Sequence, residues 1–249
     1  MSEFDGENLL ARVLYRDAMM LVLDKPSGVA VHKGPGHGPN LESFFHLLTY
    51  GLPRNPALAH RLDRETSGCL VLGRHRQALA KLGKLFKNRR ITKTYWAAVL
   101  GSPPEEAGTI DLPLAQRSHD KRSWWMKVAD AGDKAADPAV SHYKVLGRGD
   151  GLTWLELTPE TGRTHQLRVH SAAIGCPIAG DGLYGGDRAG AAARRTQLHA
   201  RAITIPLYHN RDPITVVSPV PRDMLTLMNA CGFTGEPAPA EPTIAEATA

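Results

Sequence analysis

Between His60 and His75 the chain reads HRLDRETSGCLVLGRH, which sets the carboxylate of Asp63 between Arg61 and Arg64 ahead of an apolar run. An acid between two cations is ordinarily a surface ion pair, but at the mouth of a strand it is also placed to act on a substrate. A second dense polar cluster, TGRTHQLRVH, spans Thr161 to His170 and contains Arg163, Thr164, His165, Gln166 and Arg168. Between the two, KTYWAAVLG places Tyr95 on a strand-like segment of alternating bulky residues.

Metal chemistry and paired-acid hydrolysis fit these residues poorly. His60, His165, His170 and His199 lack a His-Glu-x-x-His spacing, and on one helix His165 and His170 would stand about 500° of rotation apart and diverge. Asp63 and Glu65 face opposite ways in an extended segment, whereas glycoside hydrolysis needs two acids flanking one bond. The glycines of GPGHGP, Gly34 to Pro39, come without the Lys-Ser/Thr of a phosphate-binding loop. No metal site is expected. A metal-dependent nuclease built from His60, Asp63 and His165 stays open as an alternative, as does a non-catalytic RNA-binding protein or RNA chaperone.

The elements that must position these groups follow from patterning. Two strand-like runs lie between Arg12 and His32 with a turn at Pro26–Gly28, and Asn40 caps a helix in LESFFHLLTY. Cys69 to Leu72 is a short buried strand. His75 to Asn88 has Leu79, Leu82, Leu85 and Phe86 at helical spacing, with Arg76, Lys81, Lys84 and Lys87 on other faces. AVSHYKVLG and GLTWLELTP form a hairpin about Gly149–Gly151. Thr164 is placed to cap a helix running through Leu167 and Ile174, so that Arg163 lies where strand hands over to helix. LHARAITI and ITVVSP supply further strands and RDMLTLMNACG a closing helix. Gln116 to Pro138 is a basic loop with Trp124 and Trp125, suited to meeting phosphates and bases or to pinning the loop to the body.

Charge points to a polyanion. Residues 1–8 and 234–249 each carry three acids and no base, so of a net +5 overall the body, 9–233, carries +11. The division expected is therefore an acidic N-terminal tail over 1–8, one globular domain over 9–233 and a disordered Pro/Ala-rich tail over 234–249. Three widely spaced cysteines without a CxxC pair read as reduced core residues. No apolar run approaches the ~18 residues of a bilayer span, and MSEFDGEN is acidic where a secretory signal is basic and then apolar. A cytoplasmic protein without membrane association is expected.

HRLDRETSG, KTYWAAVLG and TGRTHQLRVH in this order resemble the motif set of the RluA-type RNA pseudouridine synthases. LDKPSGVAVH, AGDGLYGG and LHARAITI extend the resemblance over most of the body. It implies an α+β fold, the pseudouridine synthase catalytic fold: a long, curved, mixed and mainly antiparallel sheet with flanking helices and a central cleft. It implies that Asp63 is the essential acid, that Tyr95 lies against the target base and that Arg163 is the ionic partner of Asp63. RNA or substrate contacts fall to His60, Arg61, Arg64, Thr66, Thr164, His165, Gln166 and Arg168. The implied reaction detaches uracil from C1′ of a uridine, turns it and rejoins it through C5, without a cofactor. Such an acid must stay ionised where water is excluded, and a guanidinium replaces part of the lost hydration. The substrate implied is structured RNA, a ribosomal or transfer RNA stem-loop with a flipped uridine. Strand signals beginning by Arg12 leave no room for an S4-type RNA-binding domain, so a stand-alone, monomeric synthase without an obligate protein partner is expected.

Overall fold

The computed structural model describes residues 7–33, 40–117, 125–235 and 243–244. In chain order, α1 (Glu7–Leu10) leads to β1 (Val13–Arg16), β2 (Met20–Lys25), a 3-10 helix (Leu41–Leu48), β3 (Ala57–Leu58), β4 (Ser67–Gly73), α2 (Arg76–Lys87) and β5 (Thr92–Leu100). There follow β6 (Ala107–Asp111), β7 (Leu114–Gln116), β8 (Met126–Val128), β9 (Val140–Gly149), β10 (Leu152–Pro159), α3 (Gln166–Ala173) and α4 (Gly182–Ala192). The chain ends with β11 (Leu198–Ile205), β12 (Ile214–Val217), α5 (Arg222–Ala230) and β13 (Thr243–Ile244). The class is α+β. Its sheet pairings are mixed but mainly antiparallel, with β1 and β13 a parallel pair.

Two compact units are formed. The first comprises Met1–Lys93, Ala200–Pro219 and Glu236–Ala249, and the second Thr94–His199 and Val220–Gly235. In the first, strands run in the order β13-β1-β2-β4-β11, with β3 on β4 and β12 on β11. Every residue of β4 is buried, which explains why SGCLVLG reads as an unbroken small and apolar run rather than an alternating one. Gly68 sits there at φ +104°, and a Cβ would stand 2.3 Å from the Ala200 carbonyl oxygen. Only glycine permits that approach of β4 to β11. Leu82 and Ala78 of α2 are buried, while the basic residues of the helix stay exposed, as its spacing predicts.

In the second unit β5, β10, β9 and β6 lie side by side and antiparallel. Ala97, Val99, Leu155, Leu157, Leu167 and Ile178 form the centre of its core, with Tyr95 packed against it. Behind β5 and β10, Trp96, Trp154 and Phe233 meet edge to face at 4.8 to 6.0 Å, and Met224 and Met228 of α5 join the cluster. At Gly147 of β9 a Cβ would lie 1.9 Å from the Cys231 carbonyl, so the end of α5 rests directly on strand backbone.

Asn40 accepts from the Ser43 amide as a cap does, but the helix it opens is 3-10 in type. Within the span read as patternless loop, Met126–Val128 pairs with Leu114–Gln116. The strand over Ala107–Asp111 and the helical span over Gly182–Ala192, kinked at Gly186, carry no pattern strong enough to be read in sequence. The GPGHGP loop and residues 118–124, with Trp124, lie outside the described residues. So does the tail expected to be disordered, apart from 234–235 and Thr243–Ile244. All three cysteines are free and buried, and burial raises the Cys69 thiol to about 12.

Candidate active site

Asp63 sits, half-buried, in a tight turn ahead of β4, where its carbonyl accepts the Thr66 amide at 3.1 Å. Buried Leu62 on one side and buried Thr66 and Ser67 on the other anchor that turn. A second turn, Pro26–Gly28, is laced to it. The Gly28 amide donates to the Arg64 carbonyl at 2.9 Å, Arg64 Nε donates back to the Gly28 carbonyl at 2.9 Å, and Ser27 Oγ donates to the Glu65 carbonyl at 2.6 Å.

Lys25 ties the two together. It is 1% exposed, and its Nζ donates to the carbonyls of Pro26, Val29 and Arg64 at 2.7, 2.8 and 2.9 Å. Three carbonyl dipoles replace the hydration that burial removes from the ammonium, which is what makes a buried lysine tolerable. In sequence Asp-Lys-Pro-Ser-Gly reads as a strand end and a turn; what marks the lysine is its place at the close of a strand whose first four residues, Met20 to Leu23, are buried.

His60, expected among the groups facing RNA, turns its ring inward. Nε2 accepts the Val71 amide of β4 at 3.0 Å, and the ring stacks on Phe86 of α2 at 4.7 Å. Burial, followed by the charge of Lys93, holds its pKa down to about 3. It is therefore a neutral strut. His60 is half-buried and Thr66 buried, whereas Arg61 and Arg64 are exposed.

In the second unit Tyr95 stands on β5 opposite Leu157 of β10, half-buried. The TGRTHQ turn follows β10 and is organised by Gln166. Its Oε1 accepts from Thr161 Oγ1 at 2.7 Å and from the Arg163 amide at 3.0 Å, while Nε2 donates to the Val140 carbonyl at 2.9 Å and to Ser141 Oγ at 2.8 Å. These four bonds fill the capacity of a carboxamide, so Gln166 is a knot in the scaffold rather than a group facing RNA. Thr164 is not the cap of α3. The N-cap position is His165, in the left-handed region at φ 53° and without a side-chain cap bond. The Gln166 carboxamide accepts the Arg163 amide ahead of the helix, which shapes the turn without capping α3.

The Arg163 guanidinium projects from this turn, with Nε donating to the Pro138 carbonyl at 3.1 Å and Nη1 3.3 Å from Asp137. Arg168 is buried and bidentate to Asp181 at 2.7 and 2.8 Å. Asp181 also caps α4 by accepting the Leu183 and Tyr184 amides. Tyr184 closes the network. Its hydroxyl meets His165 Nδ1 at 2.7 Å and accepts the Met126 amide at 3.1 Å, and its ring lies 5.0 Å from the Arg168 guanidinium. In sequence AGDGLYGG assigns no role to Asp181 or Tyr184. A Gly-Asp-Gly opening a helix was the available signal for Asp181, whereas its pairing with Arg168 depends on tertiary structure.

His60, Arg61, Asp63, Arg64 and Thr66 thus share the first unit, and Tyr95, Arg163, Thr164, His165, Gln166 and Arg168 the second. Among the described residues no group of three or more His, Cys, Asp or Glu side chains is arranged to hold a metal ion, and no helix is long and apolar enough to cross a membrane.

The fold defined by these elements is that of the pseudouridine synthases. The solved human RNA pseudouridylate synthase domain containing 4 superposes with a TM-score of 0.76 at 27% identity, over 90% of this chain and 94% of that one. Human RNA pseudouridylate synthase domain containing 1 gives 0.72 at 28%, over 95% and 100%. The family model described as RNA pseudouridylate synthase matches residues 19–173. An uncharacterized RNA pseudouridine synthase of Zymomonas mobilis is 39% identical over 215 residues, 86% of this chain and 95% of that protein. Ribosomal large subunit pseudouridine synthase D of Xanthomonas campestris is 36% identical over 244 residues, 90% and 70% of the two chains. The chain belongs to the RNA pseudouridine synthases, isomerases that act on uridine in RNA, and within them to the RluA type.

Proposed function

We propose that this protein converts particular uridines of large-subunit ribosomal RNA to pseudouridine, with Asp63 as nucleophile and with Tyr95 and Arg163 completing the site. The 36% identity over 244 residues to a synthase named for the large ribosomal subunit carries the choice of RNA. In this reading the C1′–N1 bond breaks as the Asp63 carboxylate bonds to C1′, uracil turns within the site, and C5 bonds to C1′ as the carboxylate leaves. The C5 proton is lost and N1 gains one, so the change is an isomerisation. Tyr95 offers a flat ring to the turning base and a phenol near the departing C5 proton, and Arg163 offsets the desolvation of the carboxylate. The lacing of the Asp63 turn by Lys25, Ser27 and Gly28 supports the assignment, because a nucleophile that must meet one carbon is best carried on a backbone that does not drift.

The test is tritium release from transcripts carrying C5-labelled uridine. Large-subunit ribosomal RNA is expected to release label, and Asp63→Asn to lower the rate by at least about 10³-fold. Release from transfer RNA transcripts alone would overturn the choice of RNA, and full activity in Asp63→Asn would overturn the choice of nucleophile.

A further inference from the structure

The first unit carries a second group of cations and aromatic rings that the reaction does not use. Arg16, at the end of β1, lays its guanidinium 4.1 Å over the ring of Tyr50, and the guanidinium of Arg74 lies 6.0 Å from the same ring. Lys81 of α2 and Arg211 stand 5.7 and 5.3 Å from the ring of Tyr208.

One buried residue braces both pairs. Asp17 accepts the Tyr208 hydroxyl at 2.8 Å and the Tyr15 hydroxyl at 2.9 Å, as well as the Met19 and Met20 amides, while its carbonyl accepts Arg74 Nη1 at 2.6 Å. Its carboxylate oxygens are thereby taken up within the fold. None of Arg16, Arg74, Lys81 and Arg211 forms an ion pair with a described residue. Asp212, next to Arg211 in sequence, is exposed and also makes no such pair.

A solvated basic face ordinarily consists of long side chains free to sample many rotamers. Here the cations rest against rings, and one ring, Tyr50, is itself exposed and has two guanidiniums at its face. Burial, and then the like charge of Arg16, press the pKa of Arg74 downward. Among the described residues these four cations have no ion-pair partner, and the acid packed beneath them, Asp17, is buried. A partner bearing regularly spaced negative charge relieves that repulsion on binding, whereas solvent alone does not.

We propose that Arg16, Tyr50, Arg74, Lys81, Tyr208 and Arg211 form a phosphate-binding platform for structured RNA, separate from the residues that carry the chemistry. This rests on the reading of the protein as an RNA-modifying enzyme and adds to it a place where the substrate's backbone is held. The face reads no sequence: cations position the phosphates, and the rings orient the cations.

The experiment compares three proteins by filter binding of an unmodified large-subunit ribosomal RNA transcript between 50 and 300 mM salt: wild type, the triple variant Arg16→Gln, Lys81→Gln, Arg211→Gln, and a control with the same charge change, Lys134→Gln, Lys144→Gln, Arg148→Gln. Arg74 is left intact because it holds Asp17. The platform variant is expected to lower the slope of log K against log salt by about 2 to 3, from about 0.9 per released phosphate contact, and to weaken binding more than the control at every salt concentration. Equal slopes in the platform variant and the control, or a slope unchanged from wild type, overturn the proposal. If the triple variant fails to fold, the three single substitutions carry the same test, each expected to remove about 0.9 of slope. Tritium release by wild type, measured in parallel, separates the two claims. An active wild type with equal slopes defeats the platform alone, while an inactive wild type whose slope falls in the platform variant defeats the enzymatic reading alone.

Discussion

Acidification probes how the HRLD segment is held, through His60. As an acceptor from the Val71 amide, its Nε2 must be unprotonated, and protonation would set two donors against each other beneath Phe86. The folded-state pKa is about 3, against about 6.5 in an unfolded chain. Between these values the unfolded state binds about one proton that the native state refuses, so unfolding free energy rises with pH across the window. The contribution is complete above about pH 7 and is lost downward at a slope that approaches about 1.4 kcal/mol per pH unit, about 2.3 kcal/mol between pH 6.5 and 4.5. His60→Gln keeps an oxygen that accepts an amide proton but does not titrate. Losing the ring contact with Phe86 costs it about 1 to 2 kcal/mol at pH 7.5. Chemical unfolding of both proteins at pH 7.5, 6.5, 5.5 and 4.5 cancels the other titrating groups in the difference. Wild type is expected to lead at pH 7.5 and to lose that lead by about pH 5. A wild-type advantage that stays constant down to pH 4.5 would refute the reasoning.

The remaining perturbations address the two scaffolds beneath the proposed site. Lys25→Met removes the donor from the three carbonyls that lace the Asp63 turn, and is expected to lower kcat for tritium release about 10²-fold; an unchanged kcat in folded protein would show that the turn holds without it. Asp181→Asn leaves the Arg168 guanidinium buried without its counter-charge, at a cost of about 3 to 5 kcal/mol in urea unfolding. Replacing both members, Arg168→Met with Asp181→Asn, is expected to cost less than the sum of the single changes, and strict additivity in that cycle would argue against the coupling.

Patterns that reside in one element were legible from sequence. Leu79, Leu82 and their neighbours give α2 because helical spacing is local, and CLVL gives β4 because a strand buried on both faces must be apolar throughout. The hairpin was readable from its glycine turn. Elements stabilised by contacts distant in sequence were not. Gly182–Ala192 is glycine-rich and a weak helix by propensity, yet Asp181, itself fixed by Arg168, caps its start. Met126–Val128 is a strand only because Leu114–Gln116 pairs with it. The same limit applies inside the motifs: their order in sequence pointed to the family, while the inward turn of His60 and the four bonds of Gln166 depend on Val71, Phe86, Val140 and Ser141.

This bears on why the two motif segments are so rich in polar residues. A turn held only by apolar contact slides easily, because burial free energy is non-directional, whereas a hydrogen bond fixes both a distance and an angle. Gln166 uses four such bonds and Lys25 three to fix backbone rather than to present themselves. Each would be expensive to bury with a bond missing, so the segments tolerate one arrangement and exclude its near alternatives. In the proposed reaction a base leaves its sugar, turns and returns to the same carbon, which would tolerate little wandering of an acid placed beside that carbon. The polar density around Asp63 and Arg163 is therefore better understood as restraint on two backbone turns than as a crowd of substrate ligands, and substitutions at Lys25 or Gln166 should act through the placement of Asp63 and Arg163 respectively.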